Sequence, residues 1–327
     1  MAPALLELQN YQVAFSAGQE SYPALREISF AVRDREALGI VGESGCGKSL
    51  TALSVMGLLP KGAAVSGGEA RLNGKILNGL TPEDWRSVRG KQVAMIFQDP
   101  MTALNPLIPV GRQIAEAAST HLPVSKREAK NLALDMMRKV GLSRTEHLYR
   151  EYPHQLSGGM RQRIMIAMAM ICKPQLLIAD EPTTALDVTI QAQILDLLRE
   201  MKENAGAAMM FISHDLGVIR EICDRVIVMY AGYIVEEAPV KELLDRPLHP
   251  YTIGLLKSIP DIGQRGAPLY TIPGRVPSLA ERKGGCPFAG RCAHAEPECA
   301  TRLPALERRA AHHRVRCHLY ADKEASR

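Results

Sequence analysis

The sequence predicts an α/β fold: a largely parallel sheet with helices, an antiparallel β layer near its start, and a loop-rich appendage at its end. Three observations carry this. From about residue 37 to residue 258 strand-like and helix-like runs alternate, the order that builds a parallel sheet. Val93–Phe97 and Leu176–Ala179 are continuously apolar, as strands buried on both faces are. Beyond about residue 260 periodicity fades, and six prolines and many arginines follow.

The elements come in this order. LLELQ (5–9), ISFAV (28–32) and ALGIV (37–41) read as short strands, the first two close enough in sequence for an antiparallel layer. At Gly42 a glycine-rich loop begins, and a helix is expected from Lys48 over KSLTALSVMGLL. GGEARLNG (67–74) holds another strand or hairpin, and VAMIF follows. Residues 109–141 read as helix broken around Leu122–Pro123. A helix starting at Ser157 is stopped by Pro174. QLLIA, the helix VTIQAQILDLLREMKEN (188–204), the strand AAMMFI (207–212) and a short helix after His214 come next. RVIVMY and YIVEE close a hairpin around Ala231–Gly232.

Composition narrows the function classes. The 327 residues are 46% apolar and 23% charged, ordinary for a globular protein and unlike disordered, collagenous or coiled-coil chains. The longest apolar run, Ile164–Cys172, is nine residues, about half of a membrane span. The first ten residues lack a basic segment before an apolar one, so a cytoplasmic location is expected. Residues 262–327 hold twelve Lys and Arg against six Asp and Glu, whereas the preceding 261 hold 28 against 29. A basic tail of this kind contacts nucleic acid or anionic lipid, or is simply solvated.

Gly42-Glu43-Ser44-Gly45-Cys46-Gly47-Lys48-Ser49, followed by Leu50, fits G-x-x-x-x-G-K-[ST] throughout, between an apolar strand and a helix. Phosphates need converging backbone N–H groups, which glycines bring close, and a helix N-terminus adds its dipole. Lys48 is expected to reach the β- and γ-phosphates, and the Ser49 hydroxyl to ligate Mg²⁺. LLIA-Asp180-Glu181 delivers two carboxylates at a strand's C-terminal end, where parallel sheets bind ligands. Asp180 is expected to hold Mg²⁺, and Glu181 to act as general base toward the attacking water.

Leu156-Ser157-Gly158-Gly159-Met160-Arg161-Gln162 resembles the signature of ATP-binding-cassette (ABC) ATPases. Gln98 after VAMIF, Ala185-Leu186-Asp187 and His214 complete the same constellation over about residues 5–258. The resemblance implies a P-loop core with an antiparallel β layer and a helical subdomain at about 100–170. It implies two cassettes paired head to tail around two ATP molecules. Ser157, Gly158 and Gly159 would then bind the γ-phosphate held by the partner cassette. Gln98 would sense Mg²⁺ and the water, His214 would contact the γ-phosphate, and Asp187 would couple the two sites. Phe15 is the expected adenine-stacking aromatic, with Tyr11 and Tyr22 as alternatives.

The likeness extends further. Ile96-Phe-Gln-Asp-Pro-Met-Thr-Ala-Leu-Asn-Pro, Tyr152-Pro-His-Gln, Ala179-Asp-Glu-Pro-Thr-Thr-Ala-Leu-Asp-Val-Thr and His249-Pro-Tyr-Thr are similar to the dipeptide/oligopeptide (and nickel) importer ATPases. That subfamily implies two membrane-spanning permease subunits, a second ATPase subunit, an extracytoplasmic binding protein that delivers solute, and a place on the cytoplasmic face of the inner membrane. It implies ATP hydrolysis coupled to import of peptides or a similar small solute. The surface near Gln98 and the helical segment after it would receive the permease. The alternative class is a soluble cassette ATPase acting on nucleic acid or the ribosome. Only 57 residues lie between Gln98 and Leu156, without the long coiled coils of the chromosome-organising members, and the basic tail lacks interleaved aromatics. No nucleic-acid partner is therefore expected.

Residues 259–327 form the second expected domain. Its Cys286, Cys292, Cys299 and Cys317 are spaced C-x5-C-x6-C-x17-C, without the close pairs of structural zinc sites. A [4Fe-4S] cluster, zinc, or unmetallated thiols remain as readings, with His294 and His318 as substitute ligands. Some ATPases of the resembled subfamily carry a [4Fe-4S] cluster in this region, and all four cysteines match in position.

Overall fold

A computed structural model describes residues 4–18, 20–184, 186–259, 270–282 and 284–321. The described strands are β1 (Ala4–Ala17), β2 (Glu20–Arg33), β3 (Ala37–Val41), β4 (Ala63–Leu72), β5 (Lys75–Ile76), β6 (Val93–Ile96), β7 (Leu176–Asp180), β8 (Ala208–Ser213), β9 (Arg225–Tyr230), β10 (Tyr233–Pro239), β11 (Glu307–Ala310) and β12 (His313–Val315). The chain divides into two compact units, one mainly Gly79–Phe211, the other Leu6–Ala31, Leu38–Asn78 and Ile212–Arg327.

In the first unit β6 and β7 run parallel in register, Ile96 opposite Ala179, and β8 lies beside β7. Every residue of β6 and β7 is buried, as their unbroken apolar runs require. The helix Gly158–Met170 packs on β6, and the helices Val110–His121, Lys126–Lys139 and Val188–Ala205 pack on that helix. The break at Leu122–Pro123 is where expected, because Leu122 is held extended before proline. Ser125 restarts the helix with a full capping box to Glu128. Met165 and Met170 of the helix Gly158–Met170 are buried core.

The second unit holds two sheets. One has the order β2-β1-β4-β5, with β1 and β4 antiparallel. Its first two strands are 14 residues each, not the short pieces that LLELQ and ISFAV suggest. The polar stretches are exposed flanks of the same strands, and a bulge between Gln9 and Val13 breaks the alternation that would have revealed them. The other sheet places β3 parallel to β9, then β10 antiparallel to β9. Ala231 and Gly232 both take positive φ in the turn between β9 and β10, the backbone that a two-residue hairpin needs. The C-terminal region is less loop-like than expected: β12 pairs with β10, and β11 pairs with β12. No helix among the described residues is long and apolar enough to cross a membrane.

Candidate ATP-binding and hydrolysis site

The phosphate loop follows β3, whose five residues are all buried. Gly42 has φ 152°, and a Cβ there would stand 2.2 Å from the Met229 carbonyl oxygen. Gly47, at φ 109°, precedes the helix Lys48–Val55 with no side-chain cap, so the phosphate loop runs straight into a helix start, the local geometry that favours anions. That helix stops short of the expected Leu59, since Gly57 follows in the left-handed region. Lys48 is buried to 5% exposure, and its Nζ donates to the Gly42 carbonyl at 2.7 Å. Ser44 and Gly45 are exposed, while Ser49 and Leu50 are half-buried. Cys46 is fully buried, and burial pushes its thiol up, so it is a packing group. His214 is exposed after β8, and Phe15 is half-buried at the end of β1 opposite Ala63. Tyr11 is buried to 2%, which removes it from the stacking alternatives.

The carboxylates lie in the first unit. Asp180 ends β7 at 4% exposure, and Glu181 follows at φ 46°, a left-handed conformation costly for a residue with a Cβ. Gln98 stands two residues past Ile96 and Glu181 two past Ala179, so the parallel register brings them together. Gln98 Nε2 donates to Glu181 Oε2 at 3.0 Å, and Thr184 Oγ1 donates to the same oxygen at 3.0 Å. The carboxylate is thereby held in one orientation by two donors. Ser157 caps the helix Gly158–Met170 by accepting from the Met160 N–H. Gly159 packs so closely on Ile190 that a Cβ would lie 3.0 Å from its Cγ2. Asp187 is exposed and caps the helix Val188–Ala205 by accepting from the Ile190 N–H at 2.9 Å. Ala185, its neighbour in the motif, lies outside the described residues.

The four C-terminal cysteines are free thiols and line one small cavity with His249, Phe288, His294, Glu296 and His318. Burial raises the thiols of Cys286 and Cys292 and pushes that of Cys317 up to about 11. Any metal held there must displace protons. The donor set suits a soft metal or an iron–sulfur cluster in kind. The spacing does not: among the described residues no three His, Cys, Asp or Glu side chains are placed to hold an ion.

Some residues at the phosphate loop were not singled out from the sequence. Arg291, from the cysteine-bearing region, donates to both oxygens of Glu43 at 2.6 and 3.0 Å. Arg282 donates to the Gly45 carbonyl at 3.1 Å, and the Tyr251 hydroxyl accepts from the Glu43 N–H at 2.7 Å. In the sequence Tyr251 stands in His249-Pro-Tyr-Thr and Arg291 directly precedes Cys292, and neither stretch carries chemistry of its own that points to the phosphate loop.

Comparison with known proteins decides the family. The ABC transporter family model matches residues 25–184, and the model for the oligopeptide/dipeptide transporter C-terminal region matches residues 235–299. A probable peptide ABC transporter ATP-binding protein of Sinorhizobium fredii, y4tR, is 52% identical over 97% of this chain and 95% of its own. The chain belongs to the ATP-binding subunits of ABC transporters. The oligopeptide transport ATP-binding protein AppD of Bacillus subtilis is 47% identical over 98% of both chains. OppD of Salmonella typhimurium, of the same description, is 46% identical over 94% of this chain and 91% of its own. Among solved structures, the dimeric cassette MJ0796 in a post-hydrolysis state with ADP and Pi superposes with TM-score 0.65 at 26% identity, covering 72% of this chain and 98% of its own. This member of the family is thus an ABC-type ATPase with the cassette fold.

Proposed function

We propose that this chain is the ATP-hydrolysing subunit that energises import of dipeptides, oligopeptides or a similar small solute. The observation that carries the reading is likeness over the full length, tail included, to proteins described as peptide-transport ATPases. A soluble ATPase of nucleic acid or the ribosome would not be expected to share the oligopeptide/dipeptide C-terminal region, and that alternative is set aside. The partners are two permease subunits, a second ATPase subunit and, indirectly, an extracytoplasmic binding protein, with the chain peripheral on the cytoplasmic membrane face. Met101 and Leu107, half and four-fifths exposed just after Gln98, support a permease-docking surface there. The cassette would span 5–258 and the appended domain 259–327.

The residue roles follow the chemistry. Backbone N–H groups of the phosphate loop would cradle the phosphates, with Lys48 leaving its carbonyl partner for the β- and γ-phosphates. Ser49, Gln98 and Asp180 would hold Mg²⁺, which neutralises phosphate charge when bound. Glu181, aimed by Gln98 and Thr184, would draw a proton from the attacking water. His214 would meet the γ-phosphate, and Phe15 the adenine. Ser157, Gly158 and Gly159 would donate N–H groups to the partner cassette's ATP, and Asp187 would link the sites.

ATP turnover by the purified chain, and uptake of labelled dipeptides and oligopeptides by cells with and without it, tests the reading. Turnover without any uptake defect would overturn the import half; no turnover would overturn both. The convergence of four free thiols on one cavity supports a [4Fe-4S] cluster at Cys286, Cys292, Cys299 and Cys317. The lack of a poised ligand trio among the described residues weighs against it. Iron and acid-labile sulfide in anaerobically purified protein, compared with Cys286→Ser, decide between cluster, zinc and bare thiols.

A further inference from the structure

The cysteine-bearing region reaches the phosphate loop through charged and polar contacts that are unusually complete. Every N–H of the Arg291 guanidinium has an acceptor within reach. Nε donates to the Pro273 carbonyl at 2.6 Å, and Nη2 to the Ile272 carbonyl at 3.2 Å and a Glu43 oxygen at 3.0 Å. Nη1 donates to the other Glu43 oxygen at 2.6 Å and to the Tyr230 hydroxyl at 3.3 Å. The Arg291 side chain is 6% exposed and that of Glu43 31%, so the guanidinium side of this ion pair is shielded from solvent and the carboxylate side is partly open. Its geometry is the two-pronged fork that only arginine makes with a carboxylate.

Two further contacts bear on the same loop. Arg282 ties the Gly45 carbonyl to those of Ala24 and Pro277, which it meets at 3.3 Å each. Tyr251 takes the Glu43 N–H, and its ring packs on Tyr230 and Phe288 at 4.7 and 5.4 Å between centroids. Phe288, 3% exposed, lies between Cys286 and Cys292 in sequence, and Arg291 directly precedes Cys292. Glu43 and Gly45 occupy free positions of a loop whose backbone N–H groups must converge on phosphate. A loop with two left-handed glycines, Gly45 and Gly47, has little stiffness of its own.

We propose that Arg291 and Arg282 are positioning residues of the phosphate loop, through which the appended cysteine-bearing region sets the affinity for ATP. Neither residue needs to touch nucleotide. They hold the loop's backbone in the phosphate-binding shape before ATP arrives, so less conformational freedom is lost on binding. The inference deepens the ATPase reading and rests on it.

The test is ATP affinity and hydrolysis of the full chain carrying Arg291→Ala, Arg291→Lys, Arg282→Ala, Glu43→Gln, or the pair Arg291→Ala with Glu43→Gln. Hydrogen exchange of residues 42–49 is followed in parallel. Arg291→Ala should raise the ATP KM and Kd by about tenfold and lower kcat much less, as a contact that prearranges binding does. Exchange should quicken in 42–49. Arg291→Lys should recover only part of the loss, because an ammonium cannot span both carboxylate oxygens. The double variant should be no worse than Arg291→Ala alone, since both remove one contact. Glu43→Gln probes the same contact from the loop and serves if Arg291→Ala does not fold.

Lys48→Ala and Glu181→Gln separate the two readings. If Lys48→Ala binds ATP normally, the ATP-site reading fails. If Lys48→Ala loses binding while Arg291→Ala, Arg282→Ala and Glu43→Gln keep wild-type KM and exchange, the positioning inference is overturned and the ATPase reading stands. A cost for Arg291→Ala that adds fully to that of Glu43→Gln would likewise overturn it.

Discussion

Gln98 Nε2 donates to the Glu181 carboxylate across 3.0 Å, joining residues 83 positions apart. The bond is a product of strand register. Ile96 pairs with Ala179 in a parallel ladder, and two residues later each strand presents its polar end on the same edge. Glu181→Gln should therefore bind ATP with near-normal affinity and lose turnover by about 10²–10⁴-fold, the usual worth of a general base. Gln98→Ala leaves Thr184 still holding the carboxylate, and its kcat should fall by only about tenfold. Steady-state hydrolysis beside nucleotide titration checks both, and retained turnover in Glu181→Gln would refute the assignment.

The two glycines Gly42 and Gly45 should respond differently to alanine. At Gly42 the added Cβ meets the Met229 carbonyl oxygen at 2.2 Å, while at Gly45 it meets nothing within 4 Å. Gly42→Ala should lose ATP binding and at least about 2 kcal/mol of stability. Gly45→Ala carries only the strain of φ 78°, about 1 kcal/mol, and should still bind ATP more weakly. Urea unfolding and nucleotide titration of the two variants give the comparison.

Much of this was legible in the sequence where local chemistry decides. The phosphate loop needs glycines for backbone reasons, and the buried strands β6 and β7 need unbroken apolar runs, so both could be read directly. The β9–β10 turn and the Leu122–Pro123 break were equally local. The full length of β1 and β2 was not legible, because their exposed flanks carry polar residues and a bulge disrupts the period. Nor was the Arg291–Glu43 contact, which spans 248 positions and is set by tertiary placement alone. The tail's arginines looked like a solvated basic patch. Several are internal instead: Arg316 donates to the Ile234 and Pro304 carbonyls, and Arg314 to Glu237.

Ser157 has two separable duties. Ser157→Ala removes the cap on Met160 N–H and should cost about 1 kcal/mol, measurable by thermal unfolding. Ser157→Arg in a mixed dimer should silence the ATP site of the opposite cassette. Undiminished turnover at that site would refute the head-to-tail arrangement.

Acid should weaken the second unit through His249. Burial lowers its pKa to about 4, against a smaller upward pull from Glu236. The unfolded imidazole titrates near 6.5, so between about 6.5 and 4 the unfolded chain binds the extra proton. The stability held by neutral His249 is then complete above pH 6.5 and falls by about 3 kcal/mol toward pH 4. His313 acts in the opposite sense. Burial pushes it down, but Glu236 and Glu242 outweigh that and raise it. Its contribution is complete below pH 6.5 and is lost as pH climbs through the raised value. Unfolding curves from pH 4 to 8 for the wild type, His249→Asn and His313→Asn should show the acid slope flattened in the first variant and the alkaline slope flattened in the second.

The pairing of β12 onto β10 also governs how safely the cassette exists without its tail. In the whole chain the outer side of β10 is covered, and its buried Glu236 and Glu237 are answered by His313 and Arg314. A chain cut after residue 258 would uncover a row of backbone N–H and C=O groups along an otherwise apolar strand. Such a strand recruits another strand from whatever molecule is nearest. The truncated protein should therefore self-associate and precipitate, and the last two strands act as a built-in guard against that.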